Sequence, residues 1–307
     1  MISVLFATHN GSLTLNTMLS AFQNLKVPAT GWQVIIVDNA STDNTKSVVD
    51  SFKDKLPLEY IHEPRQGKNQ ALNTGLAHVK GDIVLLTDDD VIPHPNWLVE
   101  TERAANENPE FDIFGGKIAP CWPENTPDWV KNLVPKGITY AVTGDDWPEG
   151  KISPTMVWGP NMVVRRKVFD GGIIFNTDIG PNGTNYAMGS ETEFNIRAHD
   201  TGGHRCWFNP KSSVQHIIRD NQVTWNWILG RARRFGRGEY CQQSEEYKDH
   251  RQIFQVPVWM HKMYVQNLLG YLLASVNGDF ERKFKSAWEI QKYKGYCTEA
   301  QKKEAKH

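Results

Sequence analysis

The sequence predicts an α/β fold, a mostly parallel sheet flanked by helices, followed by a helical C-terminal region. Three observations predict it. Over the first 120 residues, short apolar runs alternate with segments of helical periodicity, the pattern of βαβ units. Residues 119–157 then carry Pro120, Pro123, Pro127, Pro135, Pro148 and Pro154, which break any period. From Val223 onward the pattern is helical throughout.

Each element follows from its residues. ISVLFA (2–7) is a continuous apolar strand, and residues 13–22 place Leu15, Met18, Leu19 and Phe22 on one helical face. A second strand covers 34–37, and Asp43 is placed to cap a helix running to about residue 52. A strand at 58–61, a helix at 67–79 and a strand at 83–86 complete the first half. Residues 156–164 read as a strand, 191–199 as a helix, and 204–209 and 213–218 as two short strands. Helices follow around Trp225, Ile228 and Leu229, then over 258–276 and 280–293. The expected division is a domain over 1–220 and a helical extension over 221–307 packing on it.

Composition narrows the class. The 307 residues carry a formal net charge of −1, but residues 1–200 hold 16 basic and 25 acidic side chains, a net of −9, leaving +8 for the rest. That split excludes a uniformly basic nucleic-acid binder and an acidic disordered chain. The four cysteines are far apart and form no C-x-x-C pair, which speaks against a zinc ribbon or disulfide scaffold. The N-terminal apolar run is too short, and lacks the basic lead, for a signal peptide. The uncharged stretch 263–278 has 16 residues, short of the roughly 20 a bilayer span needs. A cytoplasmic location is expected. Nine of the 11 tryptophans lie beyond residue 120; most are expected in packing, with a minority free to stack on a flat ligand such as a sugar.

In an open α/β sheet, ligands bind beyond the carboxyl ends of the strands. Here those ends carry Thr8-His9-Asn10, Asp38 with the loop to Asp43, and Thr87-Asp88-Asp89-Asp90. Three consecutive carboxylates repel unless a cation offsets them, and a hard divalent ion shared with substrate phosphates does so. A solvated turn or helix cap ahead of Pro93 is the equal alternative. In extended backbone Asp88 and Asp90 face one way and Asp89 the other, so at most two reach one ion. No G-x-x-x-x-G-K-[ST] or early G-x-G-x-x-G is present, which disfavours P-loop NTPases and nicotinamide dehydrogenases.

The segments FATHN (6–10), VDNASTDNT (37–45), QGKNQALNTGL (66–76), LLTDDDVIPHPNWL (85–98), GPNMVVRRKVF (159–169) and GSETEFNIRAHDTGGHRCWFNPKSSVQH (189–216) occur in this order. Together, and with the fainter RARRFGRG (231–238), they resemble a family 2 glycosyltransferase of the GT-A fold. The resemblance covers about the first 220 residues. It implies a Rossmann-like mixed sheet, a nucleotide-sugar donor (a UDP-sugar favoured), a Mn²⁺ or Mg²⁺ ion and inverting transfer to a saccharide or lipid-linked acceptor. By the same resemblance, Asp38, Thr8 and Asn10 line the base pocket, and Arg65 and Lys68 lie near the base or diphosphate. Counting back from Pro93 puts Asp89 at the metal position and Asp88 on the ribose, with Asp90 a further candidate ligand.

The family's catalytic base opens a helix, commonly in a Glu-Asp pair. Here Ser190-Glu191 stands there, so Glu191 is the expected base; Glu193, two residues on, does not share its face. An acidic first helical turn favoured by the macrodipole is the plain alternative for both. His216 is expected near the metal and diphosphate, and Asn161 beside the donor sugar. Arg231 and Arg234 meet a diphosphate or acceptor, or form a solvated basic face. The Q-x-x-R-W motif of the processive synthases is absent. The basic C-terminal third, through Arg231–Arg237 and Arg282, Lys283 and Lys285, suggests peripheral docking on an anionic membrane at its cytoplasmic face; a helical lid with solvated lysines is the plainer alternative. Two other classes compete. A nucleotidyltransferase would carry a basic glycine-rich loop where FATHNGSLT has no Lys or Arg, and a carbohydrate-binding protein would leave the ordered carboxylates without a task.

Overall fold

A computed structural model describes residues 1–183 and 186–304. It divides into two compact units, the first comprising Met1–Trp122, Tyr140–Asp178 and Ser190–Ile218, the second Pro123–Thr139, Ile179–Gly189 and the chain from Arg219 onward. The division is thus interleaved rather than a single cut near residue 220.

The first unit opens with β1 (Ile2–Thr8), α1 (Ser12–Phe22), β2 (Trp32–Asp38), α2 (Thr45–Asp50), β3 (Leu58–His62), α3 (Lys68–Leu76) and β4 (Ile83–Leu86). It continues through β5 (Val91–Pro93), α4 (Trp97–Glu107) and β6 (Ile113–Cys121). The short helices α5 (Asp128–Leu133) and α6 (Lys136–Tyr140) precede β7 (Gly150–Ile152), β8 (Met162–Arg165), α7 (Arg166–Asp170), α8 (Ser190–Gly202) and β9 (Cys206–Ile217). The sheet order is β3-β2-β1-β4-β8-β6-β9-β5, with β7 also on β9. Strands β3, β2, β1 and β4 are parallel, as are β6 and β9; β8 enters antiparallel between β4 and β6.

Apolar residues run almost unbroken along the central strands because both faces are covered. Ile2, Val4 and Phe6 of β1 with Val34 and Ile36 of β2 pack against Leu15, Met18, Leu19, Phe22 and Trp97. Their neighbours Leu5, Ile35 and Val37 point the other way, onto Ala71, Leu72, Phe194 and Ala198. The two helical layers follow directly from the strands' period of two.

Two expected elements take different form. Residues 156–164 are not one strand: Pro154 and Pro160 open 3₁₀ turns at Pro154–Met156 and Gly159–Asn161, and β8 begins only at Met162. The two short strands at 204–218 are one strand, β9, whose pairing with β6 shifts register between Gly116 and Lys117. Asn44 immediately precedes α2 without a side-chain bond to it; Asp43, one place earlier, satisfies the helix start, its Oδ1 accepting from Thr45 N at 3.0 Å.

The second unit carries α9 (Trp225–Gln243), the hairpin β10 (Gln252–Ile253) and β11 (Val256–Pro257), α10 (Val258–Asn277) and α11 (Phe280–Glu304). Gly236 and Gly295 let α9 and α11 approach closely: a Cβ on Gly236 would lie 1.9 Å from Lys292 O, and one on Gly295 1.9 Å from Arg233 O. Within this unit Trp129, Trp225, Phe280 and Phe284 form one aromatic cluster.

Asn161 ties the first unit's layers together. Fully buried, it accepts from Trp97 Nε1 at 2.9 Å and donates to the carbonyls of Lys117 (3.1 Å) and Ser212 (2.9 Å). Removing it strands a buried indole N–H and two buried carbonyls, each costing about 1–3 kcal/mol. Asn161→Ala is therefore expected to lower unfolding free energy by roughly 3 kcal/mol or more, read from urea melts monitored by tryptophan fluorescence.

Candidate functional site

The parallel register brings the strand ends level. Thr8 pairs with Asp38 across β1–β2, and Asp38 with His62 across β2–β3. The chain leaves β1 toward β2 and β3 on one side and toward β4 on the other, so the crevice opens where β1 and β4 end. Asp38 is buried; Ser41 N donates to its Oδ1 at 2.9 Å and Tyr60 OH to its Oδ2 at 2.6 Å. Burial first, then the Asp38 carboxylate, push the Tyr60 phenol well above its usual range. Asn10 is exposed, sits at φ +53°, and its Oδ1 accepts from Thr42 N at 2.8 Å, pinning the β2–α2 loop.

The acidic turn splits by direction. Thr8 Oγ1 donates to Asp89 Oδ2 at 2.6 Å, so Asp89 faces the β1 end. Asp88 and Asp90 instead converge with His216, their ligand atoms all within 4.8 Å of one another. The group that could hold a metal ion thus contains Asp88 and Asp90 rather than Asp89, on which the expectation was placed. The chain turns at Asp89 and Asp90 directly after β4, and the turn sends Asp89 to the β1 end.

Strand pairing delivers His216. In the antiparallel β5–β9 ladder, Val91 faces His216, and Ile217 N donates to Asp90 O at 2.8 Å. His216 Nδ1–H donates to the Tyr140 carbonyl at 2.7 Å, leaving Nε2 3.2 Å from Asp90 Oδ1. Burial works to lower the pKa of His216, and the Asp90 carboxylate outweighs it, so the net direction is upward. Two carboxylates and an imidazole held through its other nitrogen by a backbone carbonyl have the composition of a divalent-cation site.

Beside this group lies a half-buried ion-pair triad. Lys68, the first residue of α3, places its Nζ 2.5 Å from Asp88 Oδ1 and 2.8 Å from Glu191 Oε1. Glu191 stands in the first turn of α8, and Ser190 Oγ donates to its Oε2 at 2.8 Å. Burial alone would raise its pKa; the Lys68 ammonium overcomes that and brings it down to about 2. Burial likewise opposes the charge on Lys68, but Asp88 and Glu191 hold it firmly protonated. Glu193 turns away, paired with Arg197 at 2.7 Å.

The other expected residues stand apart from this centre. Arg65 is bound to Glu63 (Nε–Oε1 2.8 Å), an interaction that, with Thr74, holds Glu63 at about pKa 2. Asn161 has no donor capacity left and is fully buried, so its expected place beside the donor sugar is corrected to a packing role. Arg231 and Arg234 belong to the second unit, where Arg231 Nη1 donates to Tyr186 OH at 3.3 Å. Both guanidinium groups lie over the Trp227 ring, at 5.6 and 6.0 Å. Burial, with Arg231 and Arg237 nearby, depresses the Arg234 pKa.

Several contributors escaped the sequence reading. Tyr60 and Tyr140 act through a hydroxyl and a carbonyl that no motif announces. Asn39, within the quoted VDNASTDNT, bridges Glu63 O, Arg65 O and Gly67 N, fixing the start of α3. Gly159 leaves room for Glu191: a Cβ there would lie 2.5 Å from its Oε1. Gly11 does the same at the β1 end, where a Cβ would meet Thr8 Oγ1 at 2.2 Å and Asp89 Oδ2 at 2.6 Å.

This arrangement has relatives. A glucosyl-dolichyl phosphate glucuronosyltransferase of Haloferax volcanii is 23% identical over 205 residues, covering 65% of this chain and 64% of its own length. The glycosyltransferase AglE of the same organism is 26% identical over 209 residues, covering 66% and 62%. The chain thus spans somewhat under two thirds of these relatives. Among solved structures, the mannosyltransferase PcManGT of Pyrobaculum calidifontis, in complex with GDP-Man and Mn²⁺, superposes with a TM-score of 0.61 at 18% identity, covering 99% of this chain and 86% of that one. S. aureus TarS 1-349 in complex with UDP-GlcNAc gives 0.56 at 13%, covering 100% and 92%. These likenesses establish the expected GT-A fold. The profile described as Glycosyl transferase family 2 matches residues 3–172, more than half of the sequence and all four parallel strand ends of the crevice, and the chain belongs to that family.

Proposed function

We propose that the protein transfers a sugar, with inversion, from a nucleotide-diphosphate donor to a saccharide or lipid-linked saccharide acceptor. The observation that carries this reading is the Glu191–Lys68–Asp88 triad set against the Asp88, Asp90 and His216 group. A UDP-sugar is the favoured donor, with Asp38, Thr8 and Asn10 at the base. The dolichyl phosphate in the names of two archaeal relatives supports a lipid-linked acceptor.

In this reading Glu191 accepts the proton of the acceptor hydroxyl. The freed oxygen attacks the anomeric carbon from the face opposite the diphosphate, and the carbon–oxygen bond to the diphosphate breaks with its electron pair leaving on the phosphate oxygen. A divalent cation held by Asp88, Asp90 and His216 supplies stabilisation of that developing charge when bound. Lys68 has two tasks. Unliganded, it neutralises Asp88 and Glu191; with an incoming diphosphate competing for its ammonium, it releases Glu191. Burial then raises the carboxylate toward the range where a base works best at neutral pH. Arg231 and Arg234, for which no carboxylate partner is seen among the described residues, are proposed to meet an acceptor phosphate.

Three outcomes test the reading. Glu191→Gln is expected to cut kcat by about 10²–10⁴-fold while donor binding by calorimetry persists. Asp90→Asn should weaken Mn²⁺ binding, measured calorimetrically on the free protein, and EDTA should abolish transfer in the wild type. For Lys68→Met the sign follows from the opposing causes on Glu191. Lys68 lowers that pKa and burial raises it, so without the ammonium the acid limb of the kcat/KM profile moves to higher pH. An unmoved limb would separate Lys68 from the base.

A further inference from the structure

The second unit exposes an apolar face that its own core does not use. Val265, Leu269, Leu272 and Val276 of α10 recur at i, i+4, i+7 and i+11, one stripe along the helix. Each is more than half exposed, Val276 reaching 85%, and Leu273 flanks them in the same state. The stripe continues to exposed Phe280 at the start of α11. No helix among the described residues is long and apolar enough to cross a membrane, so the face does not belong to a span.

A second feature borders it. The β10–β11 hairpin turns on Phe254 and Gln255, at φ +51° and +56°. Such a turn favours Asn-Gly, and an aromatic residue in the left-handed region is strained. Phe254 is nevertheless there and 73% exposed, so the fold gains nothing from its ring. His261 locks this tip to the first turn of α10: Tyr293 OH donates to Nδ1 at 2.6 Å, and Nε2–H donates to Ile253 O at 3.1 Å. Partly exposed Trp259 lies in that same turn.

We propose that this face docks on an anionic lipid surface, with α10 lying in the interfacial plane and Phe254 and Trp259 as its aromatic anchors. Charge selects lipid over a second copy of the chain. Residues 251–285 hold five basic side chains (Arg251, Lys262, Arg282, Lys283, Lys285) against two acidic ones. Of the acids, Asp279 accepts from Arg282 N and Glu281 is paired with Lys285. α10 itself contains no acid, and Lys283 lies 5.5 Å from the Tyr271 ring centroid. A two-fold contact would set this basic rim against itself, whereas anionic headgroups complement it. The contact differs from the arginine-led one expected from sequence, since apolar side chains lead and the basic ones border them.

The inference stands on the second unit alone. Its test reads binding, not transfer, so its failure and that of the transfer reading are distinguishable. The full chain should float with mixed phosphatidylcholine–phosphatidylglycerol vesicles and much less with phosphatidylcholine alone. Leu269→Gln combined with Leu272→Gln, both at exposed positions, is expected to lower partitioning about tenfold or more without lowering the melting temperature. Phe254→Asn supplies the sharper readout: asparagine accepts the left-handed turn, so thermal stability should hold or rise while flotation falls. Three results overturn the proposal: a wild type that does not float, variants that float unchanged, or a dimer in sedimentation velocity that the leucine variants dissolve.

Discussion

The candidate site depends on one electrostatic constraint: half-buried carboxylates gathered at the strand ends must be offset. Asp88 and Glu191 arrive from β4 and α8, and the Lys68 ammonium from α3 compensates both. Removing one member of such a half-buried group leaves charge uncompensated. The triad therefore fixes where α3 and α8 begin relative to β4. The rest of the machinery is arranged around that compensation, with Asp89 diverted to Thr8 and Asp90 held by His216.

That arrangement also explains the small residues nearby. Gly159 opens a 3₁₀ turn, yet its requirement is steric, because a methyl group would crowd Glu191 Oε1, the atom that meets Lys68. Gly11 answers the same need across the crevice, since a side chain there would separate Thr8 from Asp89. Glycine is demanded at both places by close approach rather than by an unusual φ, as neither has a positive φ.

Much of this was legible in the sequence because the information is local. Apolar runs with intervening helical periods predicted β1 to β4 and α1 to α3, and the strand-end rule directed attention to Asp38 and Asp88–Asp90. Counting back from Pro93 points to Asp89, whereas the turn after β4 gathers Asp88 and Asp90 with His216. What stayed hidden is non-local. His216 reaches Asp90 through the β5–β9 ladder, and β5 is three residues long with no pattern to announce it. Tyr140 contributes only its carbonyl, which carries no side-chain signature. The 3₁₀ turns at 154–161 were mistaken for strand because their apolar composition outweighed two prolines. Asn161 was assigned to a ligand because its motif position, not its burial, is what a sequence displays.

The charge split that the total of −1 conceals can now be assigned physically. Part of the acidic excess lies at the site, where Asp88 and Glu191 face Lys68 and Asp90 faces His216. In the second unit the basic excess is divided. Arg237 is consumed by Glu299, and Lys292 by Glu239 and Glu289, whereas Arg231 and Arg234 rest on Trp227 and are partly desolvated. A guanidinium lowered in pKa by burial and by its like-charged neighbours gains most from an incoming anion, because that anion replaces water the arginine has already lost. This is the physical ground for proposing Arg234, rather than exposed Lys285, as a phosphate partner. On the two proposals taken together, a lipid-linked phosphate would give its charge to the arginines of α9, and the apolar face of α10 would meet the surface that carries it.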